Sequence, residues 1–195
     1  NDIKKNSTAE KIKEAKLFSN KALMVLSTNK KEGLIKSMPC YLVFYEDRII
    51  FAHLSKEKQK AESKALQQRM KAEGKGFFKA SSEMMKYWLT YGDKYYEMNI
   101  ADTMNEDSAN FELRHSQITK FIFKTVQRSK DDTSDSQGNI EINADGNKLK
   151  FTHNYRDNNK KIKNVLERFG YKKFKYKGGG FGLTINIGGS KEGFN

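Results

Sequence analysis

The chain has 195 residues, 36% of them hydrophobic, with a formal net charge of +13, a length that suits one domain carrying an elaborated insertion. Its 13 Phe, 9 Tyr and 1 Trp supply enough large apolar surface for a core, which excludes global disorder. No apolar run is long enough to span a bilayer, no signal-peptide pattern opens the chain, and the lone Cys40 excludes an internal disulfide. A cytoplasmic location is the expectation, because one thiol fits a reducing compartment.

Residues 7–18 are predicted as a short helix, since Ser7 and Glu10 form a capping box and Ile12, Ala15 and Phe18 share an apolar side. Ala22 to Thr28 is a short apolar run that suits a buried strand, and Asn29 to Gly33 is a polar turn closing on glycine. Strand signals follow at 34–38 and, after Pro39, at Tyr41–Tyr45 and Arg48–His53, with a tight turn at Glu46-Asp47. Ser55 caps a predicted helix running to about Glu73 that is polar on most sides, with Ala61, Ala65, Leu66 and Met70 as a thin stripe stopped by Gly74. In the next helix Phe77, Met84, Met85, Trp88 and Leu89 recur at helical spacing, and Asn99 caps one further turn to Asn105. Strands are expected again at Asn110–Leu113 and Ile118–Val126, then, beyond a polar loop at 128–138, in a hairpin. There Ile140 and Ile142 alternate with polar residues, Asp145-Gly146 turns, and Leu149 and Phe151 alternate back. A last helix from about Asp157 to Phe169 carries the stripe Ile162, Val165, Leu166 and Phe169 and ends at Gly170. The tail from Gly178 is glycine-rich and is expected to be mobile or weakly β.

This order gives an α+β domain of roughly seven antiparallel strands. They are expected to curl into a barrel or orthogonal sandwich that the C-terminal helix plugs at one end. The expected division is an N-terminal helix over 1–20, a main domain over 21–170 with a helical insertion at 56–105, and a basic then Gly-rich tail over 171–195.

The basic charge falls in three blocks. Residues 1–36 carry nine Lys against four acids, 56–79 eight basic against three acidic residues, and 156–177 nine against two, whereas 80–150 is net acidic. Such blocks are either a solvated lysine-rich surface or the footprint of an anionic partner. Lys94-Tyr-Tyr96 and Tyr171 to Lys177, which holds Lys172, Lys173 and Lys175, interleave cations with aromatics as single-stranded nucleic-acid binders do. No catalytic or metal signature accompanies them. His53, His115 and His153 are far apart and are expected on strand surfaces, Cys40 has no nucleophile context, and the glycine clusters lack a phosphate-loop ending. The Phe77–Leu89 stripe, with Met84, Met85 and Trp88 at its centre, either packs the insertion onto the sheet or stays exposed as a docking or self-association face.

The layout resembles the pleckstrin-homology-like superfold in its bacterial versions of uncharacterised function. The hairpin Tyr41–Phe51, the segment Asn110–Lys120, and the Asp145-Gly146 hairpin followed by the helix 157–169 carry the likeness. The resemblance implies a non-catalytic scaffold for binding peptides, proteins or phosphoinositides, with Lys30, Lys31 and Lys36 in and after the first inter-strand loop as ligand positions. The opening from Ala22 to Ala52 is also similar to that of a flavin-binding split barrel. That similarity implies flavin mononucleotide, with Ser55, Lys56 and Lys58 holding its phosphate. The leading expectation is therefore a binding module without a cofactor, docking a protein or an anionic partner and self-associating through the insertion. A flavoprotein and a nucleic-acid-binding protein are the alternatives.

Overall fold

A computed structural model describes residues 20–32, 36–125, 137–155 and 160–177, and the backbone of 184–187. The expected helix over 7–18, the close of the turn at Gly33, most of the loop over 128–138, the start of the last helix and the glycine cluster at 178–182 lie outside the described residues. The strands are β1 (Met24–Glu32), β2 (Lys36–Phe44), β3 (Arg48–His53), β4 (Phe111–Arg114), β5 (Ile118–Lys124), β6 (Gly138–Ala144), β7 (Asn147–His153), β8 (Phe174–Lys177) and β9 (Thr184–Ile187). The helices are α1 (Lys56–Ala72), α2 (Phe77–Thr90), α3 (Ile100–Asn105) and α4 (Lys160–Arg168), with a 3-10 segment at Tyr91–Tyr96.

The class is α+β, as expected, but the sheet differs from the expected barrel in two ways. Its hydrogen-bonded order is β4-β3-β2-β1-β7-β6-β5-β8-β9, with β4 and β9 as unjoined ends, so the strands do not close and α4 has no barrel end to plug. One pair, β5 with β8, is parallel. The extra strand β8 arises from residues expected to be a basic tail: Phe174 and Tyr176 are buried, whereas Lys175 and Lys177 are half-buried. The predicted strands on either side of Pro39 form one strand, β2, and Pro39 sits where it passes from exposed to buried residues.

The chain divides into two compact units. Among the described residues, the first comprises those within 20–26, 41–46 and 50–111, and the second those within 27–40, 47–49 and 112–187. In the first, Tyr41, Val43, Tyr45, Ile50, Ala52, Leu54, Tyr91 and Tyr95 form one buried cluster, with Trp88, Met98 and Met104 packed against it. Phe51 stacks on Phe111 at 4.5 Å between ring centroids. A buried polar chain fixes α3 against this core. The Tyr45 hydroxyl lies 3.0 Å from Thr103 Oγ1, Asn110 Nδ2 donates to the Thr103 carbonyl at 2.8 Å, and Asn110 Oδ1 accepts from the His53 amide at 2.7 Å. The Tyr45 and Thr103 hydroxyls, the Asn110 side chain and the His53 amide thus satisfy one another, as buried polar groups require.

In the second unit the β6–β7 hairpin turns on Asp145 (φ 49°) and Gly146 (φ 77°). Left-handed backbone at both central positions is the type I′ geometry that matches strand twist, as Asp-Gly predicts. Inward residues of β5 register with those of β8, Phe121 beside Phe174 and Phe123 beside Tyr176. Phe123 lies between two rings, stacked on His153 at 4.5 Å and on Tyr176 at 5.3 Å. Gly138 is required opposite them. A Cβ there would meet the Lys124 carbonyl oxygen at 2.7 Å as well as the His153 ring. α4 buries Ile162 and Leu166.

Contrary to the strand-surface expectation, His153 is buried, as is His53. His153 Nδ1 accepts the Tyr155 amide at 3.0 Å, so Nε2 carries the proton and donates to the Lys124 carbonyl at 3.0 Å. Both ring nitrogens are used by the neutral form, and burial holds the imidazole down at about 4. The unfolded chain takes up a proton near 6.5 and the folded one only near 4. Stability is therefore full above 6.5 and is lost as pH falls toward 4. The expected loss is about 3 kcal/mol, read by urea unfolding at pH 7 and pH 4.5. His153→Gln should abolish that slope, and a slope retained in the variant would show that another group is responsible.

Candidate functional site

The first unit concentrates the features that set this chain apart, all on α1, α2 and the segments that follow. α1 begins where predicted: Ser55 Oγ accepts the Lys58 amide at 3.3 Å. Gly74, with φ +66°, lies just beyond its last turn. Lys75 bridges the α1–α2 turn by reaching both Glu73 and Glu83 at 2.5 Å. The Tyr87 hydroxyl, donating to Glu62 at 2.6 Å, ties α2 to α1. Tyr87 and Trp88 then seat α2 on the core, and Trp88 approaches Tyr91 at 5.1 Å. Gly92 permits this seating, because a Cβ would come within 2.7 Å of the Tyr41 ring.

With that side anchored, the rest of the apolar stripe faces water. Phe77 is 80% exposed, Phe78 87%, Met85 67% and Leu89 77%, and no residue of α2 is fully buried. At about 100° per residue, Phe78, Met85 and Leu89 fall within a ~40° arc, whereas Phe77 projects ~100° from Phe78, at the azimuth of Trp88 and Met84, and is exposed at the start of the helix. Trp88 and Met84 are half-buried and lie to the packed side of that arc. The predicted stripe thus contains two faces, one packing and one free, and Phe78 completes the free face. Phe78 lies outside the stripe expected from sequence, although its spacing to Met85 and Leu89 was the available signal. Phe77 and Phe78 meet edge to face at 5.7 Å.

Beneath α2 lies a charged cluster invisible in the sequence. Glu106 accepts from Lys58 Nζ at 2.8 Å and from Lys94 Nζ. Lys94 also stands 3.7 Å over the Tyr91 ring, a cation–π contact. Burial pushes the Glu106 carboxyl up, but the bonds from Lys58 and Lys94 outweigh it and hold the group below the usual carboxylate range. Burial likewise lowers Lys94 and raises the phenols of Tyr91 and Tyr95. Both lysines are committed to one carboxylate, which makes the cluster a structural anchor for the 3-10 segment.

The outer side of α1 is different. An open, shallow groove of about 480 Å³ runs along Lys56, Gln59, Lys60, Ser63, Lys64 and Gln67. Of the positions the split-barrel likeness singles out, Lys56 lines this groove, Ser55 is engaged as a helix cap, and Lys58 is bonded to Glu106.

The remaining sequence candidates belong to the second unit. Lys30, which pairs with Glu32 at 3.8 Å, and Lys31 are near the end of β1, and Lys36 opens β2 exposed. Lys172 and Lys173 are exposed in the turn before β8, on which Lys175 lies beside Ile122 of β5. Cys40 is buried, and burial pushes its thiol up to about 12, which removes thiolate chemistry at neutral pH. Among the described residues no group of three His, Cys, Asp or Glu side chains is placed to hold a metal ion, and no helix is long and apolar enough to cross a membrane. No family model, curated protein or solved structure matches this chain.

Proposed function

We propose that this protein is a non-catalytic binding module that docks a protein partner on the free apolar face of α2. The observation that carries the reading is the exposure of Phe77, Phe78, Met85 and Leu89 on a helix whose other side is fixed to the core. Isolated exposed apolar residues are ordinary, whereas four large ones on one rigid helix form the contiguous patch that marks an interaction site. Phe78, Met85 and Leu89, at i, i+7 and i+11, repeat the one-face spacing that the helix-in-groove mode of recognition uses. A pleckstrin-homology-like scaffold is supported by the β2–β3 hairpin and by the β6–β7 hairpin that precedes α4, while the parallel β5–β8 pair departs from it.

A photo-cross-linking phenylalanine analogue at position 78 tests the reading. In an extract of the source cells it should yield a discrete protein adduct that Leu89→Asp abolishes. No adduct, or one indifferent to Leu89→Asp, overturns the docking face.

A second reading, polyanion binding, rests on the open groove along α1. Lys56, Lys60 and Lys64 recur every four residues, about 6 Å apart along the helix axis, and so present a row of cations beside Gln59, Ser63 and Gln67. Salt-sensitive binding of a labelled oligonucleotide that Lys60→Glu with Lys64→Glu removes would move this reading to the front.

A further inference from the structure

We infer that the partner on α2 is a second copy of this chain, docked as an antiparallel, two-fold α2–α2 pair; this rests on the docking reading above. The pattern of the face is self-complementary. A two-fold axis between Glu83 and Met84 sets Phe78 of one copy opposite Leu89 of the other, and Ser82 opposite Met85. Large residues therefore meet across the ends, and the one large residue near the middle faces a serine, the alternation of bulk that lets two helices interdigitate.

The area is sufficient. Taking 150–250 Å² for each aromatic, the four exposed side chains offer roughly 500–600 Å² per copy, or about 1,100 Å² for a pair, near the ~1,000 Å² that a specific interface needs. No charged side chain sits on the face itself. Lys79 and Lys86 stand at the flank of the apolar arc, as a polar rim should, and Glu83 points away from it and is already bonded to Lys75. The charge of +13 on each chain opposes association at long range, so a pair held by apolar contact tightens as salt screens that repulsion. An anionic partner would show the reverse dependence.

Sedimentation velocity on the purified full chain tests this directly. The expected result is a species of twice the 22.5 kDa chain mass whose population rises with protein concentration and with added salt. Phe78→Ser with Leu89→Ser should weaken the pair by roughly 100-fold or more, since each buried anchor contributes tenfold or above. The variant should unfold as a monomer with an unchanged profile, because both positions are exposed in the single chain. Mixing Ser82→Cys protein with Met85→Cys protein should give an intermolecular disulfide faster than either alone, and buried Cys40 does not compete. A dimer without that preference overturns the antiparallel register. A monomer at ~100 μM overturns the second copy as partner, and if the position-78 adduct to another protein persists in extract, the docking face itself stands.

Discussion

Phe123→Ala is expected to lower the unfolding free energy by about 3–5 kcal/mol and, in the same protein, to flatten the pH dependence between about 6.5 and 4. The first effect follows from complete burial of the ring. Phe123 fills the space between the rings of His153 and Tyr176, both held by strand register on either side, so the neighbours cannot collapse into the vacated volume. The second effect follows from what that volume does for His153. The imidazole is held at about 4 chiefly by burial, and a cavity open to water lets its protonation rise toward the ordinary value. Folded and unfolded affinities for the proton then converge, and the acid slope shrinks. Urea unfolding of wild type and variant at pH 7 and pH 4.5 reads both quantities. A variant that loses stability while keeping the full slope would show that Phe123 does not shield His153. Phe123→Leu should recover much of the stability.

The elements legible in the sequence were those whose signal is local. Ser55, Asn99 and Asp145-Gly146 fix caps and a turn through their own backbone neighbours, and each occurs where its residue type predicts. Closure of the sheet was not legible, because it depends on which strands become neighbours. Nothing local says that β8 will lie parallel to β5, although the alternation Phe174, Lys175, Tyr176, Lys177 was a strand signal masked by the charge of the segment. The candidate site divides the same way. The apolar stripe of α2 could be read from spacing, but its split into a packed and a free face depends on Tyr87 and Trp88 finding the core. The Lys58–Glu106–Lys94 cluster joins residues separated by 48 and 12 positions, and no periodicity announces such a meeting.

That cluster carries the other large expected effect: Glu106→Ala should cost about 3 kcal/mol, toward the low end of what removing one partner of a buried pair costs. The discount is for water, since Glu106 remains 15% exposed, Lys58 20% and Lys94 31%. The variant leaves two ammonium groups beside each other, one of them over the Tyr91 ring, with no carboxylate between them. If the cost is this uncompensated charge, Lys58→Met and Lys94→Met added to Glu106→Leu should restore most of the loss, because an apolar trio satisfies the same space. If the triple variant is as unstable as Glu106→Ala, the carboxylate is instead required for shape. The pH dependence has a definite sign. Glu106 titrates lower in the folded protein than in the unfolded chain, so its stabilisation is full above the ordinary glutamate value and is lost as pH falls below about 4. Glu106→Ala should therefore reduce the acid loss in that range while leaving the His153 slope at higher pH intact. The consequence reaches the docking face, because Lys94 and Tyr95 hold the 3-10 segment into which α2 runs. Hydrogen exchange should show faster opening of α2 in Glu106→Ala than in wild type, and the α2–α2 pair should weaken with it. Unchanged exchange in α2 would mean that Tyr87 and Trp88 suffice to hold the helix in place.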